Sequence, residues 1–465
     1  MNESFDDPRA AQETVRRYER MLAHDEAVFF DLEEFEVIID HYVTSAAFDK
    51  AQQACEAALS QYPFSIELLI DRAQIAAMRG DYAEAERQIA SVATRDPDNA
   101  DVAVTRGIIA TQRGDFEEAI RYFQAALERH SDREDIHFNL GLAYQSWHKF
   151  KSAARHYKHS LRLQPDNETT VQELLNCLET SNRLSEHEEF FQRFTDDDPY
   201  SAVAWYNLGQ YYYRLEKYEQ AAAAFDYAIV IEADFHDAHH WLADTFVCQQ
   251  QYERAIAEFE LSYPPGAPTD EALCNIGECY EKMRSWDLAR QYYRKALEIN
   301  PEMDEAWFGQ GVLLQEQERP YEALHFFRRA VELYGESGEY WSALGAAENQ
   351  VGNIVSALEA YEKATEVAPE DATGWVSWSA ILYEQGHFEE ATDLLQRAVE
   401  LHPHEAHFHY MICAYLLAAG RLREAYQELE TALTLNYEQH TLLFDYFPEL
   451  EKQPALQRLI DQFRK

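Results

Sequence analysis

Lysine is scarce in this chain. Ten lysines stand among 465 residues, and all basic residues together number 40 against 84 aspartates and glutamates, a formal net charge of −44. A surface with that balance repels phosphate backbones and anionic membranes, so neither nucleic acid nor a membrane is expected as a partner. No stretch approaches the ~18 uncharged apolar residues of a membrane span. The opening MNESFDDPRA is acidic and polar where a secretory signal is basic and then apolar, so a soluble cytoplasmic protein is expected. Cysteine is also thin: Cys55, Cys177, Cys248, Cys274, Cys279 and Cys413 include no C-x-x-C pair, which suits reduced, packed thiols better than a disulfide framework or a zinc site. The nucleophile elbow G-x-S-x-G, the phosphate loop G-x-x-x-x-G-K and a G-x-G-x-x-G after a strand are all missing. No strand is predicted, no cofactor is implied, and an enzyme is not expected.

What is present is a period. A chain of 465 residues exceeds what one compact core usually supports, and repeats of 20 to 50 residues decide an architecture by themselves. Starting at Leu32, twelve segments of 34 residues follow without insertion or deletion and end at Gln439. Position 20 is Ala51, Ala85, Ala119, Ala153, His187, Ala221, Ala255, Ala289, Ala323, Ala357, Ala391 and Ala425. Position 8 is glycine at Gly107, Gly141, Gly209, Gly277, Gly311 and Gly345, and position 24 is aromatic in eight successive repeats from Phe123 to Tyr361. Small residues facing large ones let two amphipathic helices approach closely. Glycine at position 15 (Gly80, Gly114, Gly352, Gly386, Gly420) supplies a left-handed end to the first helix, and proline at position 32 (Pro63, Pro97, Pro165, Pro199, Pro301, Pro369, Pro403) stops the second.

This pattern resembles the tetratricopeptide repeat, whose consensus places Trp, Leu, Gly, Tyr, Ala, Phe, Ala and Pro at positions 4, 7, 8, 11, 20, 24, 27 and 32. The repeat starting at Ala202 carries Trp205, Leu208, Gly209, Tyr212, Ala221, Phe225 and Ala228, and departs only at Ala233. The resemblance implies an all-α, right-handed superhelical solenoid of about twelve helical hairpins over residues 32–439. Residues 1–31 and 440–465 are expected to cap it, through the apolar stripes Val15, Tyr18, Met21, Leu22 and Leu456, Leu459, Ile460, Phe463. The segments FFDLEEFEVIIDHY and LLFDYFPELEKQPALQRLIDQF look similar to bacterial cytoplasmic proteins of this type.

Two places break the regularity. In the fifth repeat Leu175, His187 and Phe194 replace all three small residues, which points either to drift absorbed by repacking or to a bend or docking point. The seventh ends in SYPPGAPTD, where Pro264, Pro265 and Pro268 cut its second helix short; residues 263–270 are then either a bend or hinge, or ordinary punctuation.

In the resembled family, positions 2, 5, 9, 12 and 13 point into a concave groove, and there the sequence is acidic. Position 2 is acidic in eight of twelve repeats, which helix dipoles favour in any case. Positions 9 and 12 add Asp40, Glu179, Asp244, Glu278 and Glu281, against Arg214 and Lys282 as the basic groove residues. Asn139, Asn207 and Asn275 occupy position 6, as in the family's carboxylate clamp, but position 2 offers no lysine and position 6 no arginine, so the clamp is not expected. Phe138, Tyr206, Gln210, Tyr213, His240, Phe308, Tyr383 and Tyr410 complete the candidate contact face.

The stretch FHDAHHWLADTF falls in the seventh repeat. His239 takes the tryptophan slot and should be buried, whereas Asp237, His240 and Asp244 share one helical face. Such a trio is able to hold a divalent metal, yet an acid-rich groove produces it without selection, so no metal is assigned. LHPHEAHFHY, with His402, His404, His407 and His409, is treated alike. The main expectation is a non-enzymatic scaffold or adaptor whose acidic groove holds a basic or amphipathic segment of another protein. The alternatives keep the fold: binding through the convex face or the caps, with acidity serving solubility, or a metal-dependent regulatory protein using Asp237, His240 and Asp244.

Overall fold

The computed structural model describes residues 8–24, 29–96 and 99–464. Pro97, expected to close the second repeat, and parts of the 1–31 cap lie outside them. The described residues are all-α with no strand, and none of their helices is long and apolar enough to cross a membrane. They fall into two compact halves that divide between Ala233 and Asp234, near the end of the sixth repeat.

The 34-residue register is realised helix by helix. The first helix of every repeat begins at position 1, from Leu32–Thr44 to Ala406–Ala418. The second begins at position 17 in eleven repeats, as in Phe48–Gln61 and Leu422–Leu435. Most first helices are capped by the side chain just before position 1, whereas those that follow Arg133, Phe235 and Met303 start without such a cap. Ser65, Asn167, Ser201, Thr269 and Ser337 each accept a backbone N–H of the first turn, and Asp31 forms a full capping box with Glu34.

The second helices have no such side-chain cap, because the turn before them is held by the backbone. In the sixth repeat the N–H of Glu216 donates to Tyr213 O (2.9 Å) and that of Lys217 to Tyr212 O (3.0 Å), the paired bonds of a Schellman turn. Its central residue must be left-handed, and position 15 has a positive φ in all twelve repeats. Besides the five glycines it is Ala46, His148, Asn182, Glu216, Gln250, Arg284 and Glu318, with φ between 52° and 59°.

Close helix contact explains the small residues. A methyl group added at Gly209 would lie 2.5 Å from the ring of Phe225, and one at Gly277 would lie 2.8 Å from Tyr293. The eleven position-20 alanines are fully buried. Tryptophan at position 4 pins the turn between repeats, the indole N–H of Trp205, Trp307 and Trp375 donating to the carbonyl of Pro199, Pro301 and Pro369, each at 3.0 Å.

Apolar residues are buried at both ends of the array. Val15 and Tyr18 of Pro8–His24 are buried, Tyr18 packing edge-on against Phe30, Phe35 and Tyr42, while Leu22 in the last turn is exposed. Leu456 and Ile460 of Pro454–Phe463 are buried, with Leu459 and Phe463 packed alongside. The second helix of the seventh repeat stops at Phe259 after eight residues, before the prolines, and Thr269 caps the next helix across the turn. In the fifth repeat a 3₁₀ turn, Leu184–His187, occupies positions 17–20, and the helix that follows, Glu188–Asp197, has ten residues.

Two glycines separate packing from backbone strain. Gly209→Ala drives a methyl into Phe225 and is expected to cost about 2 kcal/mol. Gly386→Ala has nothing within 4 Å of the new methyl but a φ of +83°, so about 1 kcal/mol is expected from strain alone. Adding Phe225→Leu should recover part of the first loss and none of the second, read from urea midpoints by circular dichroism.

Candidate functional site

The histidine-rich stretch does not close on itself. His239 is buried and its Nδ1 lies 2.7 Å from Glu258 of the partner helix, bridging positions 4 and 23 of its hairpin. His409 repeats the device with Glu428 at 2.6 Å. His236 Nδ1 approaches Leu261 O (3.0 Å), and His402 Nε2 approaches Pro369 O (2.8 Å). His407 is half-buried beside Tyr446, and burial pulls its imidazole below the usual range. Asp237 is exposed, and among the described residues no group of three or more His, Cys, Asp or Glu is arranged to hold a metal ion.

In the first half the contact candidates divide by burial. Tyr206, Asn207 and Gln210, expected to face the groove, are only 4%, 7% and 1% exposed. Tyr206 Oη donates to Glu168 (3.0 Å), and Asn207 Nδ2 donates to Pro165 O (3.1 Å), so the two side chains tie the sixth repeat to the start of the fifth and to the turn that ends the fourth. They pack because a long side chain at position 5 or 6 reaches the preceding repeat before it reaches solvent. Gln210 is buried with neither amide atom partnered. Phe138 tilts against Tyr157, Asn139 donates to Asp135 O of its own helix (2.8 Å), and Tyr213 stays half-buried against Tyr218. Arg214, a groove cation by position, is neutralised by Glu179 at 2.6 Å.

The second half brings the acidic candidates together. They lie on the first helices of the seventh, eighth and ninth repeats: His236–Cys248, Asp270–Lys282 and Asp304–Glu316. His240 Nε2 stands 3.6 Å from Asp244 and 3.7 Å from Glu271, its ring edge-on to Phe259. Burial raises the Asp244 carboxyl to about 6, with Glu271 adding to the rise and His240 opposing it. Glu278 is raised to about 7, first by desolvation and then by Glu281, Glu305 and Asp244, although its side chain still meets water. Glu281 is also raised by desolvation, while the Tyr293 hydroxyl (2.8 Å) and Lys282 (3.7 Å) hold it in place. Asn275 is half-buried beside them, and Phe308 stacks on Tyr340 at 4.5 Å. Of the aromatic candidates beyond these, Tyr410 is buried with its hydroxyl on Asn436 O, and Tyr383 stacks on Tyr415.

Sequence reasoning missed four carboxylates of this kind. Glu271 and Glu305 join the set above from position 2, where the helix dipole by itself favours an acid. Glu36 and Asp71, at positions 5 and 6, line a concavity of about 300 Å³ with Asp40 and Glu67. Burial, then Glu36 and Glu67, raises Asp71 to about 6. Acids at positions 5 and 6 beside the acidic position 2 were the available signal.

Profiles of the tetratricopeptide repeat match residues 43–106, 98–166, 187–235, 206–271, 270–303, 342–406 and 382–440. Anaphase-promoting complex subunit 6 of Arabidopsis thaliana is 28% identical over 105 residues, 23% of this chain and 19% of that protein, so the match spans less than a fifth of that relative. Among solved structures, yeast Tom70 aligns with 14% identity over 92% of this chain and 98% of its own, at a TM-score of 0.43. YrrB, described as a tetratricopeptide-repeat protein with an unusual peptide-binding site, aligns with 22% identity over 40% of this chain and 95% of its own, at 0.32. The profiles together span well over half of the sequence and coincide with hairpins whose helices begin at the positions the 34-residue register assigns. The chain belongs to the tetratricopeptide-repeat family.

Proposed function

We propose that this protein is a non-catalytic scaffold whose second half holds a basic or amphipathic segment of another protein on the first helices of the seventh to ninth repeats. Membership of a repeat family built for protein–protein interaction gives the general reading. One observation carries the specific one: Asp244, Glu271, Glu278, Glu281 and Glu305 share a face on which Lys282 and His240 are the nearby cationic or titratable bases. Like charges crowded on a partly desolvated face raise one another's pKa, and an incoming lysine or arginine relieves that repulsion. Phe308 on Tyr340 supplies an apolar platform beside them, and Asn275 a polar contact.

The assignment makes binding and stability pull in opposite directions. Asp244 and Glu278 keep protons in the folded state at pH values where free Asp and Glu, near 3.9 and 4.3, are ionised. The folded chain therefore binds more protons than the unfolded one between about pH 4 and 7, and its stability falls as pH rises through that window. Asp244→Asn with Glu278→Gln should raise the melting temperature of the second half at pH 7.5 and flatten its dependence on pH between 5 and 7. A melting temperature that drops, or an unchanged pH profile, would contradict the electrostatics.

The same double variant should bind a labelled Lys/Leu dodecapeptide about tenfold more weakly by fluorescence anisotropy. Binding by the wild type should fade as salt shortens the Debye length below ~10 Å above 0.1 M. Equal binding by wild type and variant would refute the assignment of this face.

A further inference from the structure

The acidity of the chain is interrupted once in a way the groove does not use. From Ile136 to Pro165 there is no aspartate or glutamate, although 84 of the 465 residues are acidic, and three of the ten lysines fall in that interval. The interval lies within the fourth repeat, whose second helix is Phe150–Leu163. Lys151, Arg155, Lys158 and Arg162 follow one another at spacings of four, three and four, so they form a single ridge ~16 Å long on that helix. Among the described residues none of the four makes an ion pair, whereas arginines elsewhere, such as Arg319 and Arg421, are held by a glutamate three residues on.

The irregular fifth repeat gives this ridge a floor. Because Leu184–His187 forms a 3₁₀ turn and the following helix is short, a concavity of about 380 Å³ opens between Lys158 and Arg162 on one side and Phe190 and Phe194 on the other. A second concavity, also about 380 Å³, continues past Lys151 and Arg155. Lys158 Nζ donates to His187 Nδ1 at 2.9 Å and lies 4.6 Å from the centre of the Phe190 ring. Burial, then Arg162 and Arg183, lowers the Lys158 ammonium to about 8, and burial, then Lys158, lowers His187 to about 4. Two of the carboxylates at the rim are already engaged, Glu186 by Arg183 at 2.6 Å and Asp197 by Arg193 at 3.6 Å, and Glu189 completes that edge. The result is a row of crowded cations beside two half-exposed phenylalanines.

We propose that this ridge docks an acidic segment of a partner protein, its carboxylates on Lys151, Arg155, Lys158 and Arg162 and an apolar side chain on Phe190 and Phe194. The occupant is short, because the ridge spans about eleven helical or five extended residues. Charge complementarity selects its sign, and the phenylalanines select a polypeptide over a polyphosphate, which has no apolar group to place there. A nucleic acid would also run beyond the ridge onto a surface of net charge −44. The site lies on second helices of the first half and is independent of the acidic face proposed above.

The test uses the full chain and two fluorescein-labelled probes, a Glu/Leu dodecapeptide and dodecathymidylate, followed by anisotropy at low and moderate salt. Arg155→Glu with Arg162→Glu reverses two exposed charges on the ridge, and Arg294→Glu with Arg423→Glu reverses two exposed charges elsewhere as a control. Circular dichroism checks folding, and Arg155→Gln with Arg162→Gln provides a gentler ridge variant. The expected result is peptide binding that weakens with salt, falls at least tenfold in the ridge reversal, falls less in the glutamine pair and persists in the control. The Lys/Leu peptide should be unaffected by the ridge variants, so this proposal and the groove proposal fail separately. Absence of peptide binding, equal loss in the control, or tighter binding of the oligonucleotide would overturn the inference.

Discussion

An aromatic ring lying against a backbone that carries no side chain is the contact on which the rest depends. Phe225 on Gly209 and Tyr293 on Gly277 bring the two helices of a hairpin closer than any Cβ permits. The two positions are sixteen residues apart, so this contact fixes the length and shape of the turn between them. The turn in turn requires a left-handed residue at position 15 whatever the sequence supplies. Glu216, Gln250 and Arg284 accept φ values of 56° to 59° because the packing on both sides over-determines them.

The candidate sites are placed by that same contact, in one case by its presence and in the other by its loss. Tyr293 wedges against Gly277 and also against Gly309 of the next repeat, and its hydroxyl orients Glu281. One side chain thus sets the spacing of two repeats and aims a carboxylate. In the fifth repeat Leu175 and His187 leave no room for such an approach, and the second helix starts late and ends short. The opening this leaves beside the fourth repeat is where the cations gather. Regular repeats make the scaffold, and the departure from regularity makes a distinct surface on it.

Architecture was legible from sequence because it is written twelve times over. Repetition exposed the register, the pairing of helices within it and the burial of His239. Three features were not legible. Non-glycine residues at position 15 give no sign of a positive φ, since the strain is imposed by tertiary packing. The burial of Tyr206, Asn207 and Gln210 depends on which neighbour a long side chain reaches first, which position numbers do not encode. The ridge on Phe150–Leu163 was hidden for a different reason: a net charge of −44 describes the average surface, and a run without acids shows only when charge is read locally.

The unbroken register has a consequence for how such a chain can change length. Each residue of an α-helix advances the next by about 100°, so a single deletion inside one rotates every later side chain of that helix off its face. The wedge, the turn and the cap would then each meet the wrong residue. Length is therefore quantised in steps of 34, with the connection after Phe259 as the tolerant gap: there eight helical residues and a long proline turn together still fill their repeat. A molecule of this kind grows or shrinks by whole hairpins, as a word changes by letters and never by fractions of one.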